Sequence, residues 1–199
     1  MPKTQEQCAQ IREETRKKIL EGALSYFARH GYGNSTVADL AKYLGIAQGA
    51  LYRYFSSKDE LFQVLTDEVV KENNGSLSRI FELSAEPEEK IELLTKTVLD
   101  GIFHDIRVRE GLVLNIRMKL ECEDLNGFSE EYDKEADALL EKTIREGQEK
   151  NSVVEGTPSV LSDFYWHAVH TVALDLVRGR TPDYEEHYRI LTRILLKDK

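Results

Sequence analysis

The sequence predicts an all-α protein with an N-terminal three-helix head followed by a helical-bundle body. Apolar residues recur at spacings of three and four along the 199 residues, and no segment alternates apolar and polar residues with a period of two. Capping residues, glycines and prolines divide this pattern into lengths typical of helices. Hydrophobic residues make up 41% of the chain, which is enough to form a core. We expect the head at residues 1–57 and the body at residues 58–199.

The first two helices of the head end at glycines. The first helix has an apolar stripe and stops at Gly31. Thr36 and Asp39 have the spacing of a capping box, which starts a second, short helix. Gly45 is placed to end that helix in the left-handed conformation. The stripe of the first helix consists of Leu20, Ala23, Leu24 and Phe27.

A third helix is expected to follow within about three residues. It is predicted over residues 48–55, because Leu51 and Phe55 lie four residues apart and share a face. Ser57 and Glu60 have the spacing of a second capping box, which starts a fourth helix. The head therefore consists of short helices joined by tight turns.

The body is predicted to contain five further helices. Pro87 opens a helix that reaches about Asp105, and Pro158 and Pro182 each stand close to the start of another. The two remaining helices are expected over residues 108–120 and 129–150, with a break at Asn126 and Gly127.

Charge is distributed unevenly along the chain. The formal net charge is −9. Residues 1–60 hold nine Lys/Arg and seven Asp/Glu, whereas residues 61–199 hold 18 and 29. No acidic residue lies between Asp39 and Asp59, although Lys42, Arg53 and Lys58 do. This pattern favours a small anion-binding head on an acidic body.

The second and third predicted helices, joined by a tight glycine turn, have the organisation of a helix-turn-helix. A recognition helix must enter a major groove about 12 Å wide, so small residues at its N-terminal end allow the backbone to come close. Ala47, Gly49 and Ala50 meet this requirement. A glycine inside a helix costs about 0.5–1 kcal/mol relative to alanine, which suggests that Gly49 serves close approach.

Polar side chains on the outward side of this helix are candidate DNA contacts. Gln48 can hydrogen-bond to a base edge, Tyr52 to a phosphate, and Arg53 to a phosphate or a guanine. Thr36 and Lys58 each stand at a helix N-terminus, where an anion is favoured, so both are candidate phosphate contacts. The alternatives are a purely capping role for Thr36 and a solvated side chain for Lys58. Packing is the stronger interpretation for Tyr54 and the weaker one for Tyr52.

The segment RKKILEGALSYFARHGYGNSTVADLAKYLGIAQGALYRYFSSKDELFQVL, residues 16–65, resembles the N-terminal DNA-binding domain of the tetracycline repressor (TetR) family. It covers about a quarter of the chain. The positions that carry the resemblance are Ile19, Ala23, Phe27, Gly31, Thr36, Val37, Ile46, Gly49, Leu51, Tyr52, Tyr54, Phe55, Lys58 and Leu61.

The resemblance implies an all-helical homodimeric repressor that binds operator DNA through its head and a small-molecule effector through its body. By position it implies DNA contacts at Thr36, Ala47, Gln48, Gly49, Ala50, Tyr52, Arg53, Tyr54 and Lys58. Members of the family often have Ser or Thr at the position of Ala47 and a basic residue at that of Gln48. This departure leaves the operator sequence open.

The body offers candidates for an effector pocket and for a pairing surface. The pocket candidates are Phe103, His104, Leu114, Met118, Trp166 and His170, although such residues more often form a core. The apolar stripes of the last two helices are expected to form the dimer interface. They contain Val169, Val172, Ala173, Leu176, Ile190 and Ile194.

We expect no metal, no cofactor and no membrane span. His167 and His170 could share a metal, but no third ligand is evident, so histidines packed in the core are the preferred interpretation. Cys8 and Cys122 lack zinc or redox spacing and are interpreted as free thiols of a reducing compartment. The chain has no run of about 18 apolar residues and no apolar stretch after its first charges, which favours a cytoplasmic location.

Two other classes of protein have less support in the sequence. An enzyme lacks support, because the chain has no nucleophile elbow, phosphate loop or HExxH motif. A helical module that binds only proteins explains the net acidity but not the acid-free segment flanked by capped helix ends. A ligand-responsive DNA-binding repressor explains both features.

Overall fold

The computed structural model describes residues 4–121 and 130–198, with side chains except at residues 70, 72–76, 119–121 and 130–135. These ranges form α-helices and one isolated antiparallel bridge between Val153 and Leu196, so the expected all-α class is confirmed. Cys122 and the predicted break at Asn126 and Gly127 lie outside the described ranges. The helices are α1 (Gln5–His30), α2 (Val37–Leu44), α3 (Gln48–Leu51), α4 (Lys58–Phe81), α5 (Pro87–His104), α6 (Ile106–Glu121), α7 (Glu130–Glu149), α8 (Pro158–Val177) and α9 (Tyr184–Leu195).

The glycines that were expected to end α1 and α2 do so. Gly31 has a φ of 79° and Gly45 a φ of 67°, both in the region that favours glycine. At Gly45 the chain turns sharply, because its N–H donates to the carbonyl of Lys42 at 3.2 Å and the next N–H, of Ile46, donates to that of Ala41 at 3.0 Å. This turn places α3 directly after α2.

The hydroxyls of Thr36 and Ser57 cap α2 and α4. Thr36 Oγ1 accepts a hydrogen bond from the N–H of Asp39 at 3.1 Å, and Ser57 Oγ accepts one from the N–H of Glu60 at 3.0 Å. In a standard capping box the carboxylate three residues on accepts from the backbone N–H of the capping residue, and neither cap follows that pattern here. Asp39 accepts from the hydroxyl of Thr36, and Glu60 accepts from the N–H of Ser56 at 2.6 Å.

The third helix is shorter than the predicted span of residues 48–55. It ends after Leu51, and residues 52–54 form turns that lead into α4. Phe55 is buried in the head, and its N–H still donates to the carbonyl of Leu51 at 3.1 Å. The spacing of Leu51 and Phe55 was therefore correct for burial, whereas the helix itself is limited to one turn by the approach to the cap of α4.

A cluster of buried aromatic and aliphatic side chains holds the head together. Its central rings are Phe27 of α1 and Phe62 of α4, whose centroids lie 5.3 Å apart in an edge-to-face arrangement. Leu114 and Met118 of α6 belong to the same cluster. The first half of α4 and part of α6 therefore complete the core of the head, and the division at residue 57 stays a prediction.

Polar contacts join α6 to the C-terminal part of α1. Glu110 is 2% exposed, and its carboxylate accepts a hydrogen bond from the hydroxyl of Ser25 and lies 3.4 Å from Nη2 of Arg29. Arg117 Nε donates to the carbonyl of Ala28 at 2.9 Å. Because this carbonyl lies in the last turn of α1, the guanidinium supplies a donor that the helix lacks.

A second ionic contact connects α1, α4 and α6. Glu68 of α4 lies 3.4 Å from the guanidinium of Arg16 and 3.8 Å from that of Arg107. The head is thus attached to the body by charged groups from three helices as well as by the shared core.

The body has its own core, built around the face of α8 that packs against α5, α6, α7 and α9. Tyr165 is fully buried, and its hydroxyl donates to Thr95 Oγ1 at 3.2 Å. Burial raises the pKa of this phenol well above its usual value. None of the helices in the described part of the chain combines the length and apolar character that a membrane span requires.

Candidate nucleic-acid interface

The turn between α2 and α3 presents an exposed surface. Ala47, Gln48, Gly49 and Arg53 are exposed, and the side chain of Tyr52 is 47% exposed. Leu51 points the other way and is buried in the head. The structure therefore brings these five predicted contact residues to one short segment that its own core leaves uncovered.

Gly49 is not required by the fold. It does not adopt a positive φ, and a Cβ atom added to it would meet nothing within 4 Å. Gly22 of α1 is different, since a Cβ there would collide with the side chain of Leu44 on α2. Space in front of Gly49 is therefore available to a molecule outside the chain.

Three carboxylates that flank this segment in the sequence are hydrogen-bonded within the head. Asp39 accepts from Thr36, Asp59 from the hydroxyl of Tyr32, and Glu60 from Ser56. The hydrogen bonds from the hydroxyl and N–H of Ser56 lower the pKa of Glu60.

Thr36 is exposed, as a phosphate contact requires, but its hydroxyl is already engaged twice. Oγ1 accepts from the N–H of Asp39 and donates to the Asp39 carboxylate at 2.5 Å. To contact DNA through its hydroxyl, Thr36 would have to donate to a phosphate oxygen instead of the Asp39 carboxylate. A role in DNA binding for Thr36 stays a prediction.

Lys58, a candidate phosphate contact, makes hydrogen bonds within the head, and its role in DNA binding stays a prediction. Its Nζ donates to the carbonyl of Ser35 at 2.9 Å and to that of Tyr32 at 3.1 Å. It also lies 4.0 Å from the centre of the Tyr32 ring. The amine therefore joins the start of α4 to the α1–α2 connection, since two carbonyls 23 and 26 residues away converge on it.

The two tyrosines differ as the sequence indicated. Tyr54 is half-buried and packs against the core of the head, whereas Tyr52 is exposed. Ala50 is half-buried as well. Tyr43, which was not among the predicted contacts, is an exposed ring of α2 whose centroid lies 5.2 Å from that of Tyr26. Its position next to Lys42 in the acid-free segment was the available signal.

The six predicted pocket residues do not come together. Leu114 and Met118 are buried in the core of the head, and His104 is exposed at the end of α5. Phe103 packs edge-to-face on Tyr184, with 5.2 Å between the ring centroids. Burial raises the pKa of Tyr184 to about 12, and its hydrogen bond to Asp100 acts in the same direction.

Trp166 and His170 lie together on α8, with 6.5 Å between their ring centroids. Two buried polar atoms on the same helix lack hydrogen-bond partners among the described residues, namely Trp166 Nε1 and Ser162 Oγ. Ser162 is 1% exposed and precedes Trp166 by one helical turn. This pair of atoms was not predicted from the sequence, because burial without a partner cannot be read from residue types.

Half of the predicted dimer interface is wrong. Val169, Val172 and Ala173 are buried in the core of their own body, so they cannot meet a partner chain. Leu176 and Ile194 are half-buried, and Ile190 is 50% exposed. The large apolar residues exposed on α8 are instead Val160 and Phe164, the latter 66% exposed.

The described residues contain no group of three or more metal-ligating side chains. His167 Nδ1 lies 2.6 Å from the carbonyl oxygen of Asp163, one turn earlier on α8.

The fold and the exposed turn define the class of protein: a helical protein with a helix-turn-helix at its N-terminus. Residues 19–65 match the family described as bacterial regulatory proteins, tetR family. The head of this chain, which includes α2 and α3, is therefore similar to the regulators of this family.

Similarity to individual proteins extends beyond the head. The transcriptional regulator TtgR of Pseudomonas putida is 30% identical over 131 residues, which are 65% of this chain and 60% of TtgR. The matched part thus spans about three fifths of this relative.

Two solved structures resemble this fold over most of its length. The ketosteroid transcriptional regulator KstR2 of Mycobacterium tuberculosis gives a TM-score of 0.71 at 20% identity, with 92% of this chain and 96% of KstR2 covered. AibR in complex with isovaleryl coenzyme A and operator DNA gives a TM-score of 0.75 at 16% identity, with 91% and 97% covered. These similarities support the fold.

The contacts of Lys58 lead to a prediction about stability. We expect Lys58→Met to lower the free energy of unfolding by about 1–2 kcal/mol, because two charged hydrogen bonds and the contact of the ammonium with the Tyr32 ring are lost while a side chain of similar length is kept. Arg53→Met is the control and should change stability by less than about 0.5 kcal/mol, since Arg53 is exposed. Urea denaturation measures both, and equal stability of the two variants would contradict the structural role of Lys58.

Proposed function

We propose that the chain is a homodimeric transcriptional repressor that binds a palindromic operator and is released by a small-molecule effector held in its body. The proposed activity is binding, not catalysis. The observation that carries the proposal is the exposed segment of residues 47–53, in which Gly49 leaves open space and no acidic side chain intervenes.

Several features of the head support DNA as its partner. The segment combines small residues for close approach with polar side chains that can hydrogen-bond to bases or phosphates, namely Gln48, Tyr52 and Arg53. The acidic body repels a polyanion, so the duplex is directed to the head. Thr36 and Ala47 lie at the N-terminal ends of the two helices and complete the proposed contact surface.

The small number of base contacts that one head can make favours a dimer. Each good base contact contributes about 1–3 kcal/mol, so one head discriminates weakly. Two heads held by one dimer add their contacts on a palindromic site. We propose that α8 and α9 form the interface through their exposed apolar side chains, Val160, Phe164 and Ile190, with Leu176 and Ile194 at its edge.

The effector site is proposed at Ser162 and Trp166. A buried hydroxyl or indole N–H without a partner is unfavourable, and a ligand that hydrogen-bonds to these atoms removes that cost. An effector that binds more tightly to a form in which the heads are differently spaced lowers the affinity of the protein for DNA. DNA lowers the affinity for the effector by the same factor.

The proposed approach of DNA to Gly49 can be tested with one methyl group. We expect Gly49→Ala to leave stability unchanged or to raise it by up to about 1 kcal/mol, because alanine favours the helix and the site has room. The same change should weaken binding at least tenfold to a duplex selected from a random library by the wild-type protein. Thr97→Ala, an equally small change on the exposed face of α5, should leave binding unaffected.

Fluorescence anisotropy at several salt concentrations and thermal unfolding measure these two effects. The absence of salt-dependent duplex binding by the wild-type protein would overturn the proposed function. Unchanged affinity of Gly49→Ala would refute the approach of DNA at this residue.

The proposed dimer can be tested by placing a charge in the interface. We expect Phe164→Asp to yield monomers and to abolish cooperative binding to the palindrome, because a carboxylate would be buried against the partner. Leu83→Asp is the matched control, since Leu83 is also a large exposed apolar residue but lies just after α4, away from α8 and α9 in the sequence. Sedimentation equilibrium distinguishes the outcomes. A dimeric Phe164→Asp protein would place the interface elsewhere.

The proposed effector site predicts opposite effects for two buried hydroxyls. Ser162→Ala should raise stability by about 1 kcal/mol, because it removes a hydroxyl without a partner, whereas Thr95→Val should lower it by about 1 kcal/mol. A bound effector should change the fluorescence of Trp166, which is the single tryptophan of the chain. Isovaleryl coenzyme A, the ligand in the AibR complex, is a first probe. For any ligand that gives this signal, Ser162→Ala should raise the Kd about fivefold, and an unchanged Kd would contradict the role of Ser162.

A further inference from the structure

A groove lies between the N-terminal part of α1 and the turns that follow α3. It has a volume of about 480 Å³ and is lined by Cys8, Ile11, Arg12, Arg53 and Tyr54. The match to the family begins at residue 19, whereas α1 begins at Gln5, so one wall of the groove is formed by turns of α1 that precede the matched segment.

These additional turns are a regular part of the helix. Thr4 and Gln7 form a reciprocal capping box, in which the Thr4 hydroxyl accepts from the Gln7 N–H at 3.2 Å and the Gln7 side chain accepts from the Thr4 N–H at 3.0 Å. Residues 5–14 are exposed, so nothing in the described part of the chain covers this wall. The first turns of α1 extend the surface of the head beyond the helix-turn-helix.

The two arginines of the groove, Arg12 of α1 and Arg53 in the turns after α3, differ from the other two arginines of α1. Arg16 is paired with Glu68, and Arg29 with the buried Glu110. Arg12 and Arg53 are exposed, and among the described residues neither guanidinium lies within ion-pair distance of a carboxylate. Two positive charges that line one groove without counter-charges form a site for an anion.

The acidic side chains nearest in sequence to Arg12 do not neutralise it. Glu13 lies 4.0 Å from Arg16, and Glu14 accepts a hydrogen bond from Gln10 at 3.2 Å. The groove therefore keeps both guanidinium groups available, next to the exposed segment of residues 47–53.

We propose that this groove binds a backbone phosphate of duplex DNA, with Arg12 and Arg53 as its ligands from two sides. The inference rests on the proposed function and adds Arg12 to the contact surface. The planar guanidinium donates two parallel N–H groups to phosphate oxygens, which suits a site with two arginines. Because a phosphate carries no sequence information, Arg12 contributes to affinity on every duplex equally.

The test compares charge removal inside and outside the groove. Arg12→Gln should lower the affinity for the selected duplex about five- to twentyfold at low salt and reduce the salt slope by about 0.9, which corresponds to one phosphate contact. It should weaken binding to a scrambled duplex by the same factor. Arg12→Lys should retain most of the salt slope, because the charge remains.

Lys17→Gln is the matched control. Lys17 is also an exposed cation of α1, but five residues after Arg12 it points about 140° away around the helix. Its removal should change the affinity less than twofold. Equal affinities and salt slopes for Arg12→Gln and Lys17→Gln would refute the inference while leaving the proposed function intact, whereas a wild-type protein that binds no duplex would refute the proposed function itself.

A second readout does not depend on a variant. Cys8 is an exposed free thiol in the same groove, so alkylation of the wild-type protein by iodoacetamide reports whether the groove is covered. Peptide mapping by mass spectrometry should show slower modification of Cys8 when the duplex is bound. Modification at the same rate with and without bound duplex would contradict the proposed phosphate position.

Discussion

The packing of α6 against α1 is the contact on which the arrangement of head and body depends. Leu114 and Met118 of α6 complete the core of the head, although their own helix belongs to the body. Glu110 is buried beside them and needs a hydrogen-bond donor, which the hydroxyl of Ser25 supplies from α1. A buried carboxylate that loses its partners is costly, so α6 and this part of α1 are held together as a unit.

This contact limits how a signal can travel from the body to the head. Ser162 and Trp166 lie on α8, and α8 packs against α6. A displacement of α8 by a bound effector would therefore act on α6, whose carboxylate and guanidinium groups reach α1 directly. Glu68 adds a path through α4, since it contacts Arg16 of α1 and Arg107 of α6. In the proposed mechanism the head moves as a unit, because its core contains residues of α4 and α6, the helices through which the displacement would reach it.

The sequence predicted local features better than long-range contacts. Gly45, Thr36 and Ser57 ended or started helices as expected, because caps act on backbone groups within four residues. The role of Lys58 could not be predicted, since the carbonyls of Tyr32 and Ser35 reach it only in the folded head. On α8, three of the apolar residues that were predicted to meet a partner chain are buried in the core of their own body. Val169 is buried within the chain and Phe164 is exposed, and periodicity alone does not tell which apolar face meets a partner.

The arginines of the head resolve the apparent conflict between an acidic chain and the proposed nucleic-acid partner. Net charge counts every ionised group, whereas a polyanion at close range responds to the groups that lack local counter-charges. Arg16 and Arg29 are paired with carboxylates at the junction with α4 and α6, where they stabilise the attachment of the head. Arg12 and Arg53 line one groove without such partners in the described structure. In the proposed function, what matters is therefore where the fold leaves cations unpaired: Arg53 lies in the same exposed segment as Gly49, a glycine that the fold does not need, and Arg12 lines a groove with Arg53.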